Sequence, residues 1–346
     1  MANLYERFPQ HFINPAMYAP LAEQLPNVAQ FEFTAGCSHN ACTYCKLYED
    51  VPFSWKRGLD FAGHAAGLLA AMSEEDPEAL SKLDRIFVGN GDALSVPTSD
   101  LVAGLDLMVE FFHLYTQNVP RRIAMYATIN NINSKSVSDL KMLHCLGSCN
   151  DYCSHVKYGT RVGVDLLYLG LETGDPKLLR IINKGYGRKK MYKAIKKIKK
   201  TKTSETKLDT SVFVIPGLGG DRFRDRHVDK TVEVLQRLKP KFLNLMTIKE
   251  HPGSEYAKWI DEQTRKNDNR RMTPDEIEEQ IAEFVSRLGF GTIINSLDNS
   301  SYLGEDTNPV HFNANTWRRP GLDIILAGRI RDGVKTEDGM IDVRIN

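Results

Sequence analysis

The residues best suited to chemistry in this 346-residue chain are six cysteines in two triplets: Cys37, Cys42, Cys45 and Cys145, Cys149, Cys153. Six thiols are too few for a disulfide scaffold in a chain this long, and clustered thiols in a reducing compartment point to metal more readily than to bridges. The first triplet lies in Thr34-Ala35-Gly36-Cys37-Ser38-His39-Asn40-Ala41-Cys42-Thr43-Tyr44-Cys45. Three thiolates within nine residues can converge on one face of a cluster and leave a fourth metal position open. A structural zinc site needs a fourth Cys or His nearby. His39 could serve, but it sits between two ligands, where convergence is awkward. A two-iron centre uses the same C-x4-C-x2-C run plus a distant fourth cysteine, and here the next lies about a hundred residues on. The expectation is a three-cysteine iron–sulfur site, with zinc and a two-iron cluster as alternatives.

Short apolar runs alternate with helical periods along the chain, and the runs read as strands. They are 30–34, 85–88, 123–127, 166–169, 211–215 and 242–246. Helix starts are marked between them: Pro97-Thr98-Ser99-Asp100 with a capping group before Leu101, Ser134 and Ser136 before Val137, and Asp175-Pro176. Six β–α units in series imply a parallel sheet with helices outside it, short of the eight strands that close a full barrel. A partial (β/α)6 TIM-like barrel or a doubly wound sheet is expected, and either places ligands at the C-terminal ends of the strands. The first cysteine loop follows the first strand. Gly89-Asn90-Gly91-Asp92 follows the second, Gly170-Leu171-Glu172-Thr173-Gly174 the fourth, Ile215-Pro216-Gly217 the fifth and His251-Pro252-Gly253 the sixth.

In this strand–loop context the chain resembles the radical S-adenosylmethionine superfamily, and especially a branch with a Gly-Cys-Ser-His-Asn-x-Cys-x-x-Cys signature. The resemblance extends to about residue 250 and implies a radical SAM core. It implies that Cys37, Cys42 and Cys45 hold three irons of an oxygen-sensitive [4Fe-4S] cluster, with S-adenosylmethionine chelating the fourth. The superfamily's usual spacing is C-x3-C-x2-C; here one extra residue separates Cys37 from Cys42. Tyr44 matches the aromatic position before the last cysteine, near the adenine. The turn at Asn90, Gly91 and Asp92 is similar to the family's Gly-Gly-Glu-Pro, beside the methionine amino group. Glu172 is a candidate for ribose or amino contact, Lys184 for the carboxylate, and Gly217 for the adenine-side turn. The implied reaction is reductive cleavage of S-adenosylmethionine to a 5′-deoxyadenosyl radical that takes hydrogen from a substrate. The implied partner is an electron donor such as ferredoxin or flavodoxin.

Cys145, Cys149 and Cys153 recur every fourth residue, but Gly147 and Asn150 interrupt a continuous helix, and the spacing matches no common metal site closely. Small buried thiols in an insertion are expected; an auxiliary iron–sulfur or zinc site with His144 or His155 is the alternative. Arg188 to Lys200 forms a basic helix with Met191, Ala194, Ile195 and Ile198 on one face; a solvated outer surface is expected, and a stripe that tracks the phosphates of a nucleic-acid partner is the alternative, not the favoured reading.

Apolar content of 42% and a formal net charge of +1 describe an ordinary globular protein, with no global field favouring nucleic acid. No signal peptide or membrane-length apolar run is visible, so a cytoplasmic protein with no membrane partner is expected. The domains read as an N-terminal extension at 1–28, the core at 29–250, and a small C-terminal appendage at 251–346. The competing functions are a non-catalytic iron–sulfur or zinc protein that senses redox state or scaffolds partners, and a tRNA-modifying radical enzyme. A sensor has no need of the glycine turns of a nucleoside pocket.

Overall fold

The structure, a computed structural model, describes residues 7–13, 19–146, 161–202, 207–248, 250–290, 292–294, 334–335 and 341–342. Its strands are β1 (Val28–Glu32), β2 (Thr34–Ala35), β3 (Ser54–Trp55), β4 (Arg85–Gly89), β5 (Arg122–Ala127), β6 (Val164–Glu172), β7 (Asp209–Val214), β8 (Phe242–Leu245) and β9 (Ile293–Ile294). The main sheet has the order β1-β4-β5-β6-β7-β8-β9. The six expected strands are all present, in the sequential parallel order of a partial TIM-like barrel. Two features went unforeseen: the short antiparallel β2–β3 hairpin and the two-residue β9, parallel to β8. Strands that short carry no periodic pattern.

The chain divides into two compact units. One comprises Met1–Asn40, Tyr48–Tyr168 and Lys196–Asp209; the other comprises Ala41–Leu47, Leu169–Ile195 and Thr210–Asn346. In the first unit, β1 and β4 are buried at every position, as parallel strands covered on both faces must be. Outside them lie α1 (Gly58–Glu75) and α3 (Thr98–Thr116), separated by the single turn α2 (Pro77–Ser81). Phe61, Ala65, Leu68, Leu69 and Met72 of α1, and Leu101, Leu105, Met108 and Phe112 of α3, are buried at i, i+3, i+4 spacing. The two helices approach closely because Gly104 has no side chain: a Cβ there would lie 2.9 Å from the Phe61 ring and 3.1 Å from the Gly58 carbonyl. Phe61 in turn stacks on Phe33, centroids 4.0 Å apart.

The start of α3 differs from expectation. Pro97 occupies the N-cap position and no side chain caps the helix. Proline there has no hydroxyl to offer, and Thr98 and Ser99 already lie inside the first turn. The other starts are as read. Ser136 forms a capping box with Asp139 at α5 (Val137–His144), which follows α4 (Ile129–Ser134). The buried carboxylate of Glu23 ties three strands together: it accepts from Arg85 at 2.9 Å, Arg122 at 2.9 Å and Tyr168 Oη at 2.7 Å. An uncompensated charge at that position would be costly, so the pairing also fixes residues 21–23 over the strand starts.

In the second unit, Asp175 caps α6 (Pro176–Ile181) by accepting from Lys177 and Leu178 N–H. It is followed by α7 (Arg188–Thr201), of which Lys196 onward counts with the first unit, and by α8 (Arg224–Leu238), α9 (Glu255–Arg265) and α10 (Pro274–Ser286), the last opened by the Thr273–Glu276 capping box. Leu178, Ile182, Ile215, Leu218, Tyr256 and Ile260 form one apolar cluster, against which Tyr44 packs. Buried His227 lies 2.9 Å through Nε2 from the Ile215 carbonyl and 2.9 Å through Nδ1 from Thr173 Oγ1, joining the turns after β6 and β7. No described helix is long and apolar enough to cross a membrane. The apolar run 322–326, which reads in the sequence as a short strand of the C-terminal appendage, lies outside the described residues.

Candidate radical SAM site

In the first unit the turns after β1 and β4 lock together. Gly36 and Gly91 both have positive φ, and a Cβ on Gly91 would stand 1.9 Å from the Gly36 carbonyl oxygen, so only glycine permits this approach. Asp92 directs both carboxylate oxygens to Ser38, the neighbour of Cys37. Oδ1 accepts from Ser38 N–H at 3.0 Å, and Oδ2 accepts from the Ser38 hydroxyl. Burial pushes the Asp92 carboxyl up from its ordinary value, while the bonds from Ser38 and Asn131 oppose that rise. Asn90 is fully buried; its Oδ1 accepts from Tyr48 Oη at 2.6 Å, and the Tyr48 carbonyl accepts from Asn40 Nδ2 at 2.8 Å. Asn40, with φ of 36°, lies in the one-residue-longer stretch between Cys37 and Cys42. This stretch is thus anchored by Ser38 at one end and Asn40 at the other.

In the second unit the segment carrying Cys42, Tyr44 and Cys45 is held by the end of α6 and the start of α9. Thr43 N–H donates to the Ile182 carbonyl at 3.1 Å, and Asn183 Nδ2 donates to the Ala41 carbonyl at 2.8 Å. Tyr256 N–H donates to the Thr43 carbonyl at 3.1 Å, and Cys45 N–H closes a turn onto the Cys42 carbonyl at 3.1 Å. Cys37, Cys42 and Cys45 are all half-buried. Among the described residues, no three His, Cys, Asp or Glu side chains stand together as the shell of one metal ion. The donor chemistry fits a larger group: three soft thiols, Cys37 held in the first unit and Cys42 and Cys45 in the second.

Glu172 takes a positive φ of 61° at the end of β6 and pairs with Lys184, Oε1 to Nζ 2.6 Å, both side chains being almost wholly buried. Burial works to lower the Lys184 pKa, but the facing Glu172 carboxylate, with Tyr44 and Tyr186, outweighs it and holds the ammonium well above its usual range. Tyr44 is pushed up by burial and then by Glu172, with smaller contributions from Cys42 and Cys45. Gly170 leaves room for the pair: a Cβ there would lie 2.6 Å from Glu172 Oε1 and 3.2 Å from Lys184 Nζ. Gly217, with φ of 81°, donates its N–H to the buried Gln280 Oε1 at 2.7 Å, so α10 braces the turn after β7.

The structure therefore brings Tyr44, Glu172 and Lys184 to Cys42 and Cys45, and Asn90, Gly91 and Asp92 to Cys37. The bracing roles of Ser38, inside the cysteine motif, and of Tyr48 and Tyr186 were not anticipated. The Tyr186 hydroxyl donates at 2.8 Å to the carbonyl of Gly170, the first glycine of the turn read after the fourth strand. Cys145 is buried at the end of α5, and His144 Nδ1 lies 2.7 Å from the Val164 carbonyl. Cys149, Cys153 and His155 lie outside the described residues.

The family model described as the radical SAM superfamily matches residues 31–235, more than half of the chain. Coproporphyrinogen III oxidase from Escherichia coli is similar in structure over 78% of this chain and 55% of its own, at 11% identity and a TM-score of 0.47. Methylornithine synthase is similar over 77% of this chain and 63% of its own, at 13% identity and a TM-score of 0.46. SuiB from Streptococcus suis, solved with S-adenosylmethionine bound, is similar over 82% and 54%, at 10% identity and a TM-score of 0.45. The chain thus spans little more than half the length of most of these relatives. No protein of curated function matches the sequence. With residues 31–235 matched and the cysteine loop following the first strand of a six-unit parallel sheet, the chain belongs to the radical SAM superfamily of enzymes.

Proposed function

We propose that this chain is a radical SAM enzyme that holds a [4Fe-4S] cluster through Cys37, Cys42 and Cys45 and cleaves S-adenosylmethionine reductively. The observation that carries the reading is the buried Glu172–Lys184 pair beside Tyr44 and Cys42. A perturbed, desolvated charge pair beside a candidate metal loop points to a ligand site, which a non-catalytic sensor does not require.

In this reading, Lys184 and Glu172 supply a fixed cation and anion at the positions where an amino acid carboxylate and ammonium or ribose hydroxyls bind. Tyr44 gives a flat apolar surface for the adenine. Gly91 lets the backbone come close, and the buried carbonyl and amide of Asn90 lie at the same turn. Asp92, engaged by Ser38, acts on the shape of the cluster loop. The bound cluster supplies the electron that splits S-adenosylmethionine to methionine and a 5′-deoxyadenosyl radical, which abstracts hydrogen from substrate. A one-electron donor such as ferredoxin or flavodoxin, oxygen sensitivity and a cytoplasmic setting belong to the same proposal.

Anaerobic reconstitution tests it. About four irons per chain and release of 5′-deoxyadenosine from reduced protein are expected, and Cys42→Ala should abolish both. One zinc and no iron would sink the cluster reading. A loaded cluster with no 5′-deoxyadenosine would return the chain to the redox-sensing alternative.

A further inference from the structure

Helix α7, Arg188–Thr201, carries one arginine and seven lysines in 14 residues and no acidic residue. The whole chain has a net charge of +1, so the remainder sums to 1 − 8 = −7, and one helix holds the positive excess. Some of its charges serve the fold: Arg188 pairs with Glu233 at 2.6 Å, and Lys197 Nζ donates to the Asn133 carbonyl at 2.7 Å. Lys189, Lys193, Lys196, Lys199 and Lys200 are exposed, and among the described residues none of them makes an ion pair. Other surface helices are laced with such pairs: Lys230–Glu233 on α8, Lys266–Glu262 on α9 and Arg287–Glu283 at the end of α10. Lys189, Lys193, Lys196 and Lys200 follow one another at four, three and four residues, a single stripe about 17 Å long.

We propose that this stripe binds the phosphate backbone of a nucleic acid. The composition of the face selects among the polyanions that a basic helix could meet. Protein interfaces are anchored by aromatic residues, methionine and arginine, and are poor in lysine. On α7 every fully exposed residue is a lysine, and the half-buried Arg188 and Tyr192 are already engaged by Glu233. Binding to an anionic membrane by an amphipathic helix requires an apolar face free to enter the lipid. Here Met191, Ala194, Ile195 and Ile198 are buried in the protein. Phosphates in series need only point charges at regular intervals, which lysines on successive helical turns provide. The contact reads charge and spacing, not base sequence, and so would position a strand rather than select it.

Fluorescence anisotropy with a labelled tRNA transcript and, separately, a DNA duplex tests the proposal, using the full chain between about 50 and 200 mM salt. The two probes separate RNA from DNA as the source of the phosphates. Wild type should bind at least one probe, with log K falling linearly with log salt. Replacing Lys189, Lys193, Lys196 and Lys200 together by alanine should flatten that slope by about 3, given roughly 0.7–0.9 per lost phosphate contact. The corresponding arginine variant should restore binding, and an unchanged thermal melt would show that both variants fold. Absence of binding to either probe at the lowest salt overturns the proposal, as does an unchanged slope in the alanine variant. A third outcome also overturns it: if the lysines alter reduction by an acidic flavodoxin and leave nucleic-acid binding intact, the surface docks a protein.

Discussion

Asp92 lies where an acidic side chain was expected to accept from the methionine ammonium, yet both its oxygens face Ser38. The carboxylate is buried and accepts charge-assisted bonds, each worth about 1.5–3 kcal/mol against an ordinary one of about 1. Asp92→Asn keeps the shape but leaves one carbonyl for the donors of Ser38 and Asn131 and turns an NH2 toward one of them. The loop beside Cys37 should then be held less firmly, by about 1–3 kcal/mol. Iron removal by a strong chelator should accelerate roughly tenfold or more, since 1.4 kcal/mol is a factor of ten, while the melting curve of the cluster-free protein stays within a few degrees. Equal chelation rates in variant and wild type would make the Asp92–Ser38 contact incidental to the cluster. None of this was visible in the sequence, because Ser38 and Asp92 are 54 positions apart and nothing in either motif names the other.

At the scale of elements, long periodic segments were legible and short or cross-chain features were not. Six strands and the amphipathic helices between them followed from apolar patterning, and the helix start at Ser136 from local chemistry. At Pro97-Thr98-Ser99-Asp100 the start was legible but the cap was not, because the N-cap residue is proline. The glycine turns were legible as turns; what they admit was not. Gly217 shows this: its positive φ could be anticipated, whereas its N–H donating to Gln280, 63 residues on, could not. Gly104 is a stricter case, since nothing in a helical pattern explains a glycine that lowers helix stability by about 1 kcal/mol relative to alanine. Its reason is the crossing of α1 and α3. Gly104→Val would drive a branched side chain into the Phe61 and Phe33 rings and the Gly58 carbonyl. Overpacking of that kind costs about 1–3 kcal/mol. Urea unfolding should show a midpoint lowered accordingly with an unchanged slope; a variant as stable as wild type would mean the helices can slide apart without loss.

At the scale of the molecule, each compact unit contains a histidine that the fold keeps neutral. In the first, His64 Nε2 accepts from Glu32 N–H at 3.0 Å, and burial, with Lys56 and His11 nearby, lowers its pKa from 6.5 to about 3. In the second, burial lowers His227 from 6.5 to about 4 while its two nitrogens join the turns after β6 and β7. Both folded values lie below the unfolded one, so between them the unfolded chain binds more protons and stability must fall as pH falls. The contribution is complete above about pH 6.5 and is lost progressively toward pH 4, on the order of 3 kcal/mol for His227 alone. Against a total of about 5–15 kcal/mol for a typical domain, that loss is large. Urea midpoints should therefore be level from pH 8 to 7 and drop steeply between about 6.5 and 4.5. His227→Gln retains a donor for the Ile215 carbonyl and an acceptor for the Thr173 hydroxyl but cannot protonate. Its midpoint should start lower at pH 7 and fall less on acidification, and parallel pH profiles for variant and wild type would show that His227 is not the group that titrates.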